Sequence, residues 1–312
     1  MSINAAARNW VRDFSVDEFA SKLRSGLSLQ IGPFAARIRA NSARLSAPLY
    51  ALYQDYPMLS DENVFHFHVM LDERRGFPRL DKRVVRFLVD GRAPHEDMPA
   101  AQAVAVLEWG INLVIALRSQ SFLMLHAAVV EIGGRAVLLP AAPGQGKTTL
   151  CAGLSLRGWR LLSDEFGLIR PGCTELIPVP RPMALKNESI EVIRRFEPEA
   201  VIGPEIANTR KGTVAHVKPS RQSIDDMDQA APARWIVFPR WRHGASSSLT
   251  EVSKAEGFMF LATNAFNYEV LGEAAFHTVK GLVNQTRCFR FVYSDLDEAV
   301  EMLTDFAARD DN

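Results

Sequence analysis

Eight consecutive residues carry the first chemical signal in the chain: Ala141-Ala142-Pro143-Gly144-Gln145-Gly146-Lys147-Thr148. They fit the phosphate-binding pattern G-x-x-x-x-G-K-[ST], with Ala141 where the first Gly is usual. The chemistry of such a loop is anion capture. Successive backbone N–H groups and the positive end of the following helix converge on a phosphate, because nothing within a helix's first turn satisfies those donors. Gly144 and Gly146 would let the backbone approach the oxygens with no Cβ in the way, and Gln145 and Thr149 complete the cradle. Lys147 would neutralise the β- and γ-phosphates of ATP, and the Thr148 hydroxyl would ligate Mg²⁺.

Behind the loop stands an acidic pair, Asp164-Glu165, separated from Lys147 by one helix and one turn. An acid on the strand directly after the loop helix, rather than one or more βα units later, is the spacing of P-loop kinases. It favours phosphoryl transfer to a hydroxyl over plain hydrolysis. Asp164 would be the base that orients the acceptor, with Glu165 assisting the metal; the two roles are interchangeable at this stage. His126 is the single titratable side chain in the apolar stretch 122–130. Both a phosphate or acceptor contact and a satisfied core position fit it. Arg181, Lys186, Arg210 and Lys211 are cations available to balance a triphosphate or an acidic substrate. Arg210 and Lys211 are preferred because they sit in a Gly-containing loop between elements, where substrate-covering segments usually occur. His66 and His68 share a strand face, but no carboxylate or Cys at suitable spacing completes a metal set.

These residues need a scaffold, and the sequence sketches one. Residues 135–140 predict a buried strand feeding the loop, 147–156 the loop helix, and 123–131 a strand paired with the first through Gly133-Gly134. Residues 1–95 read as a β-rich docking or assembly domain: a helix over 14–23, a hairpin over 27–39 around Gly32-Pro33, a Tyr-rich segment 49–56, and strands over 65–69 and 84–89. A long helix over 99–118 should pack on the nucleotide domain as a bridge. Within residues 96–312, the catalytic domain, the pattern predicts a strand pair with a Pro-rich bend over 174–186 and a helix over 187–195 capped by Asn187. An exposed loop over 220–232 and strands over 234–239 and 249–252 follow. Helices over 253–266 and 271–284, a strand over 288–293 and a helix over 295–308 finish the chain.

Composition bounds the alternatives. The 312 residues have 47% hydrophobic content and zero formal net charge, which implies a soluble globular chain of about two domains. A dedicated nucleic-acid binder would show a basic excess. Three cysteines without C-x-x-C spacing point to a reducing compartment and to neither a disulfide scaffold nor a zinc site. The first residues contain early acids and no apolar h-region, and the longest apolar run, 111–117, is too short to cross a bilayer. The expectation is a cytoplasmic protein with no membrane span.

The order His126-Ala127-Ala128, then Ala141 to Thr148, then Arg157-Gly158-Trp159-Arg160-Leu161-Leu162-Ser163-Asp164-Glu165 resembles the catalytic core of bacterial HPr kinase/phosphorylase. There a strand with H-G-V precedes G-x-x-G-x-G-K-[ST] and R-G-H-x-L-V-A-D-D. The likeness covers roughly fifty residues. Later stretches, P-R-P-M-A-L-K-N, T-R-K-G-T-V-A-H and Y-S-D-L-D-E-A, look like the branch called HPr-kinase-related kinases (the HprK-related kinase A type), associated with small peptide-modification gene sets. The resemblance implies an α/β fold with the P-loop kinase core of the HPr kinase / phosphoenolpyruvate carboxykinase type beside an N-terminal β-rich domain. It also implies ATP with Mg²⁺, serine phosphorylation, Asp164 as base and His126 as a phosphate contact. Glu165 stands where that family has a second Asp and Ala127 where it has Gly, so kinase chemistry is implied without HPr as acceptor. The expected acceptor is a peptide or small protein, possibly encoded next door, and a homo-oligomer is compatible. A small-molecule hydroxyl kinase and a nucleotide-dependent ATPase or binding module are the alternatives.

Overall fold

The computed structural model describes residues 9–76 and 82–309; the first eight residues of the N-terminal stretch read above lie outside them. The first part of the chain gives β1 (Asn9–Trp10), α1 (Val16–Ser25), β2 (Leu27–Ile31), β3 (Phe34–Ala40), α2 (Ser46–Tyr53), β4 (Pro57–Met58), β5 (Phe67–Arg75), β6 (Arg83–Val89), β7 (Met98–Pro99) and α3 (Ala103–Arg118). The remainder gives β8 (Leu123–Ile132), β9 (Arg135–Pro140), α4 (Lys147–Leu156), β10 (Arg160–Ser163), β11 (Phe166–Ile169), β12 (Glu175–Ile177), β13 (Met183–Lys186), α5 (Glu188–Phe196), β14 (Ile206–Thr209) and β15 (Gly212–Val217). It closes with α6 (Arg221–Asp225), β16 (Ala231–Trp241), β17 (Ser248–Glu251), α7 (Lys254–Thr263), α8 (Tyr268–Leu271), α9 (Glu273–Gln285), β18 (Arg287–Tyr293) and α10 (Leu296–Arg309). The architecture is mixed α/β with three sheets.

The N-terminal strands form a seven-stranded sheet in the order β1-β4-β2-β3-β5-β6-β7. The β2–β3 turn uses Gly32 at φ +56°, and a Cβ there would come within 2.2 Å of the Pro178 carbonyl oxygen. The hairpin tip is therefore pressed against the second half of the chain. Helix α3 covers this sheet and lets the Phe87 ring reach its backbone at Gly110. The same hydrophobic cluster takes in Met124 of β8 and Phe166 and Leu168 of β11, so α3 lies between the two large sheets.

The second sheet closes on itself. β8 pairs with β9 on one edge and with β10 and β11 on the other, β11 with β12, β12 with β16, and β16 with β9. Five strands thus form a hydrogen-bonded ring, to which β18 and edge strand β17 are added beyond β16. Helices α4, α5 and α10 and the small β13-β15-β14 sheet cover one face, against Ala128, Val130 and Leu139. Helices α7 and α9 cover the other, against Leu125, Val129 and Leu138.

Several expectations are corrected. Residues 174–186 do hold two strands, but β12 joins the large sheet and β13 the small one, so they do not pair with each other. Asn187 precedes α5 without capping it: at φ +51° its side-chain oxygen accepts the Thr213 N–H instead, at 3.0 Å. The polar segment 220–232 is not simply exposed, because α6 buries Ser223 and Ile224. The Tyr-rich segment left without a secondary-structure assignment is helix α2.

Among the described residues, one 19-residue helical stretch, residues 100–118, is long and apolar enough by composition to cross a membrane, with mean hydropathy 1.7 over its most apolar window. Counting only the uninterrupted run 111–117 understates it. In this fold 67% of that window is buried inside the protein, which gives the apolarity a packing purpose.

Candidate functional site

The glycine-rich turn leaves the end of β9, whose Leu138 and Leu139 are fully buried. Gly144 and Gly146 adopt φ +83° and +84°, the left-handed region that only glycine enters at little cost. Gly146 has a second reason to lack a side chain. A Cβ there would lie 2.3 Å from the Tyr293 hydroxyl, whose O–H donates to the Gly146 carbonyl at 3.0 Å. Ala141 is buried and outside the positive-φ set, which is why a residue with a Cβ serves where the usual pattern has Gly. Helix α4 then starts at Lys147 with no side chain capping it, so its first N–H groups are free for an anion.

The acid pair occupies the interval between β10 and β11. Ser163 pairs with Val129 and Phe166 with His126, which sets Asp164 and Glu165 opposite Ala128 and Ala127. Strand β8 thus lies between the loop strand and the acid strand, and Pro140, the last residue of β9, pairs with Ala127. Loop and carboxylates leave the same end of the sheet. Alternation along β8 explains the position of His126. Met124 joins the N-terminal cluster, and Ala128 and Val130 join the α4 cluster. His126 and Asp164 fall on this same face, at the seam between the two clusters.

Two buried polar atoms at this seam lack partners: Lys147 Nζ and Asp164 Oδ1. Burial pushes the Asp164 carboxyl up to about 6, with the Lys147 ammonium opposing and the Glu165 charge adding to the rise; the Thr148 hydroxyl and the Ala184 N–H also oppose it. Burial, then the Lys147 charge, lowers His126, against the raising effect of Glu165. Its Nε2 lies 4.0 Å from Glu165 Oε1, and its ring packs on Phe266 with centroids 5.2 Å apart. His126 is therefore a neutral hydrogen-bonding group near neutral pH.

The small sheet brings the remaining cations. Lys186 ends β13, and Lys211 sits in the β14–β15 turn with its ammonium 5.3 Å from the centre of the Trp109 ring on α3. Burial and the Lys186 charge depress Lys211, which also feels Glu165, and both lysines act on His126. Lys147, Lys186, Lys211, His126, Asp164, Glu165 and Thr148 thus converge, with Gln145 and Thr149 half-buried on the loop and its helix. Arg210 is exposed at the turn, next to Lys211 in the chain. Arg181 is committed elsewhere: its buried guanidinium pairs with Glu108 and also reaches Asn112. A cavity of about 20 Å³, room for one water, lies between Arg181, Asn112 and the acid pair.

Sequence reasoning ranked Lys186 below Lys211 and missed Ala184, Phe266 and Tyr293. Strand pairing brings in Ala184 and Tyr293, and a backbone hydrogen bond from the Phe266 N–H to the Met124 carbonyl brings in Phe266. Among the described residues no group of three or more His, Cys, Asp or Glu could hold a metal ion by itself. A cation here would share its shell with phosphate oxygens and water, as Mg²⁺ usually does. The chain matches no protein-family model, and no curated protein matches it.

Proposed function

We propose that this protein is an ATP-dependent kinase that transfers the γ-phosphoryl group to a hydroxyl, that of a serine in a peptide or small protein. The proposal includes a P-loop core of the HPr kinase / phosphoenolpyruvate carboxykinase type, with the N-terminal β-rich part serving docking or assembly. One observation carries it. A buried ammonium and a buried carboxylate oxygen, Lys147 Nζ and Asp164 Oδ1, stand without partners beside a glycine turn and an uncapped ten-residue helix. Buried charges are tolerated when a partner completes them, and a polyanion with an incoming alcohol would satisfy both.

In this reading the loop N–H groups, Lys147, Lys186 and Lys211 hold the triphosphate, and neutral His126 adds a hydrogen bond. Thr148 and Glu165 would hold Mg²⁺, which when bound neutralises charge on the phosphates. Asp164, poised at about 6, is matched to accept a proton near neutral pH. The acceptor oxygen forms a bond to the γ-phosphorus while the bridging oxygen to the β-phosphate departs with ADP. The acceptor's proton passes to Asp164.

The test uses γ-labelled ATP with peptides encoded beside the gene and with a panel of small alcohols. Asp164→Asn should abolish labelling, by a factor of at least about 10², while nucleotide binding persists. Unchanged turnover removes Asp164 from the mechanism. Labelled alcohols alone would make this a small-molecule kinase, and phosphate release with no labelled product would make it an ATPase.

A further inference from the structure

The loop strand has two neighbours, and only one belongs to the chemistry above. β8 leads to the acid pair; on the other side β16 runs parallel to β9, with Trp235 opposite Val137 and Ile236 opposite Leu138. Parallel pairing brings the chain leaving β16 to the same end of the sheet as the glycine turn. The last two residues of β16 and the two after it read Arg240-Trp241-Arg242-His243, all four exposed.

The segment is fixed to the loop. The Trp241 N–H donates to the Gln145 carbonyl at 3.0 Å, and the Arg242 N–H to the Tyr293 carbonyl at 2.9 Å. The Trp241 indole N–H donates to the Ser294 carbonyl at 3.0 Å, so the ring's only donor is satisfied while 45% of the residue remains open to solvent. The His243 ring stands 6.2 Å away. A large aromatic face held by its polar edge, with the His243 imidazole beside it, is the composition that stacks a nucleobase.

We propose that Trp241, whose Cβ lies beside Gly146 of the glycine turn, is the platform for the base of the bound nucleotide. A triphosphate whose γ end lies toward Lys147 and Asp164 leaves its nucleoside end on the β16 side of the loop. Because stacking uses the ring face and the indole N–H is already taken, the platform prefers purines for their larger face and does not tell adenine from guanine. This rests on the triphosphate-binding reading above.

Calorimetric titration of the full chain with ATP, GTP, CTP and inorganic tripolyphosphate, each with Mg²⁺, tests it. The expected result is ATP and GTP binding alike and tighter than CTP, and roughly ten- to a hundred-fold tighter than tripolyphosphate. Trp241→Ala should reduce ATP to the affinity of tripolyphosphate while leaving tripolyphosphate binding unchanged, which also shows that the variant is folded. Trp241→Phe should keep most of the ATP affinity. An ATP-to-tripolyphosphate ratio that Trp241→Ala does not change overturns the platform and leaves the phosphate site standing. Wild-type protein that binds neither compound overturns both.

Discussion

Because burial outweighs the neighbouring Lys147 ammonium, Asp164 takes up its proton at about 6 rather than at its ordinary 3.8. Between those values the folded protein holds a proton that the unfolded chain has released. The contribution to stability is therefore full below about pH 4 and is lost as pH rises through about 6. Asp164→Asn should unfold at nearly the wild-type denaturant concentration at pH 4 and be more stable by on the order of 1–3 kcal/mol at pH 8. A pH-independent difference between the two proteins would sink this account. At the loop, Gly144→Ala meets open space and bears only the backbone cost, about 1–2 kcal/mol. Gly146→Ala also drives a Cβ toward the Tyr293 hydroxyl, so urea titration should rank it as the costlier by a further 1–3 kcal/mol or so. Lys147, Thr148 and the acid pair were legible in the sequence because turn chemistry and spacing along one short segment encode them. That His126 sits at a seam was not, since this depends on which clusters the two ends of β8 enter.

Among the elements, the β14–β15 turn carries Lys211 toward Lys186, Glu165 and His126. It is pinned by the Thr209 hydroxyl donating to the Gly212 carbonyl at 2.6 Å and by Asn187 accepting the Thr213 N–H. Replacing Asn187 with Gly preserves the φ +51° backbone and removes only the second bond, for about 1 kcal/mol. Hydrogen exchange should show the Thr213 amide opening faster while amides in β8 and β9 stay protected; uniform acceleration would contradict a local anchor. On the proposed kinase reading, Lys211→Ala should raise the KM for nucleotide several-fold, by an amount that shrinks with added salt. A KM insensitive to this change takes Lys211 out of the site. The sequence located this turn by its Gly and its basic residues. It could not show that Lys186, one strand away, arrives beside Lys211, because β13 and β15 pair across an intervening helix.

Across the whole molecule, the two parts are joined by buried polar contacts as well as by a shared hydrophobic cluster. The Glu108–Arg181 pair is almost fully buried, the Tyr53 hydroxyl donates to Glu108 at 2.7 Å, and the Tyr56 hydroxyl donates to the Pro180 carbonyl at 3.0 Å. Glu108→Ala strands the Arg181 charge and should cost about 3–5 kcal/mol. Replacing both residues with Met should cost less than that single change, since no uncompensated charge remains. Equal or greater loss in the double variant, read by denaturant unfolding, would refute the argument. Element types over most of the second half were legible from periodicity, but the closing of the large sheet was not, because which strands meet is set by contacts far apart in the chain.

That closure limits how the protein can flex. For β9 to slip one residue past β8, the strands around the circle would have to slip in concert, and every side chain would exchange its inside for its outside. The spacing between the glycine turn and the carboxylates is thus set mechanically by the fold itself. The end of β16 is tied into the same frame, because the Trp241 N–H donates to the Gln145 carbonyl of the turn.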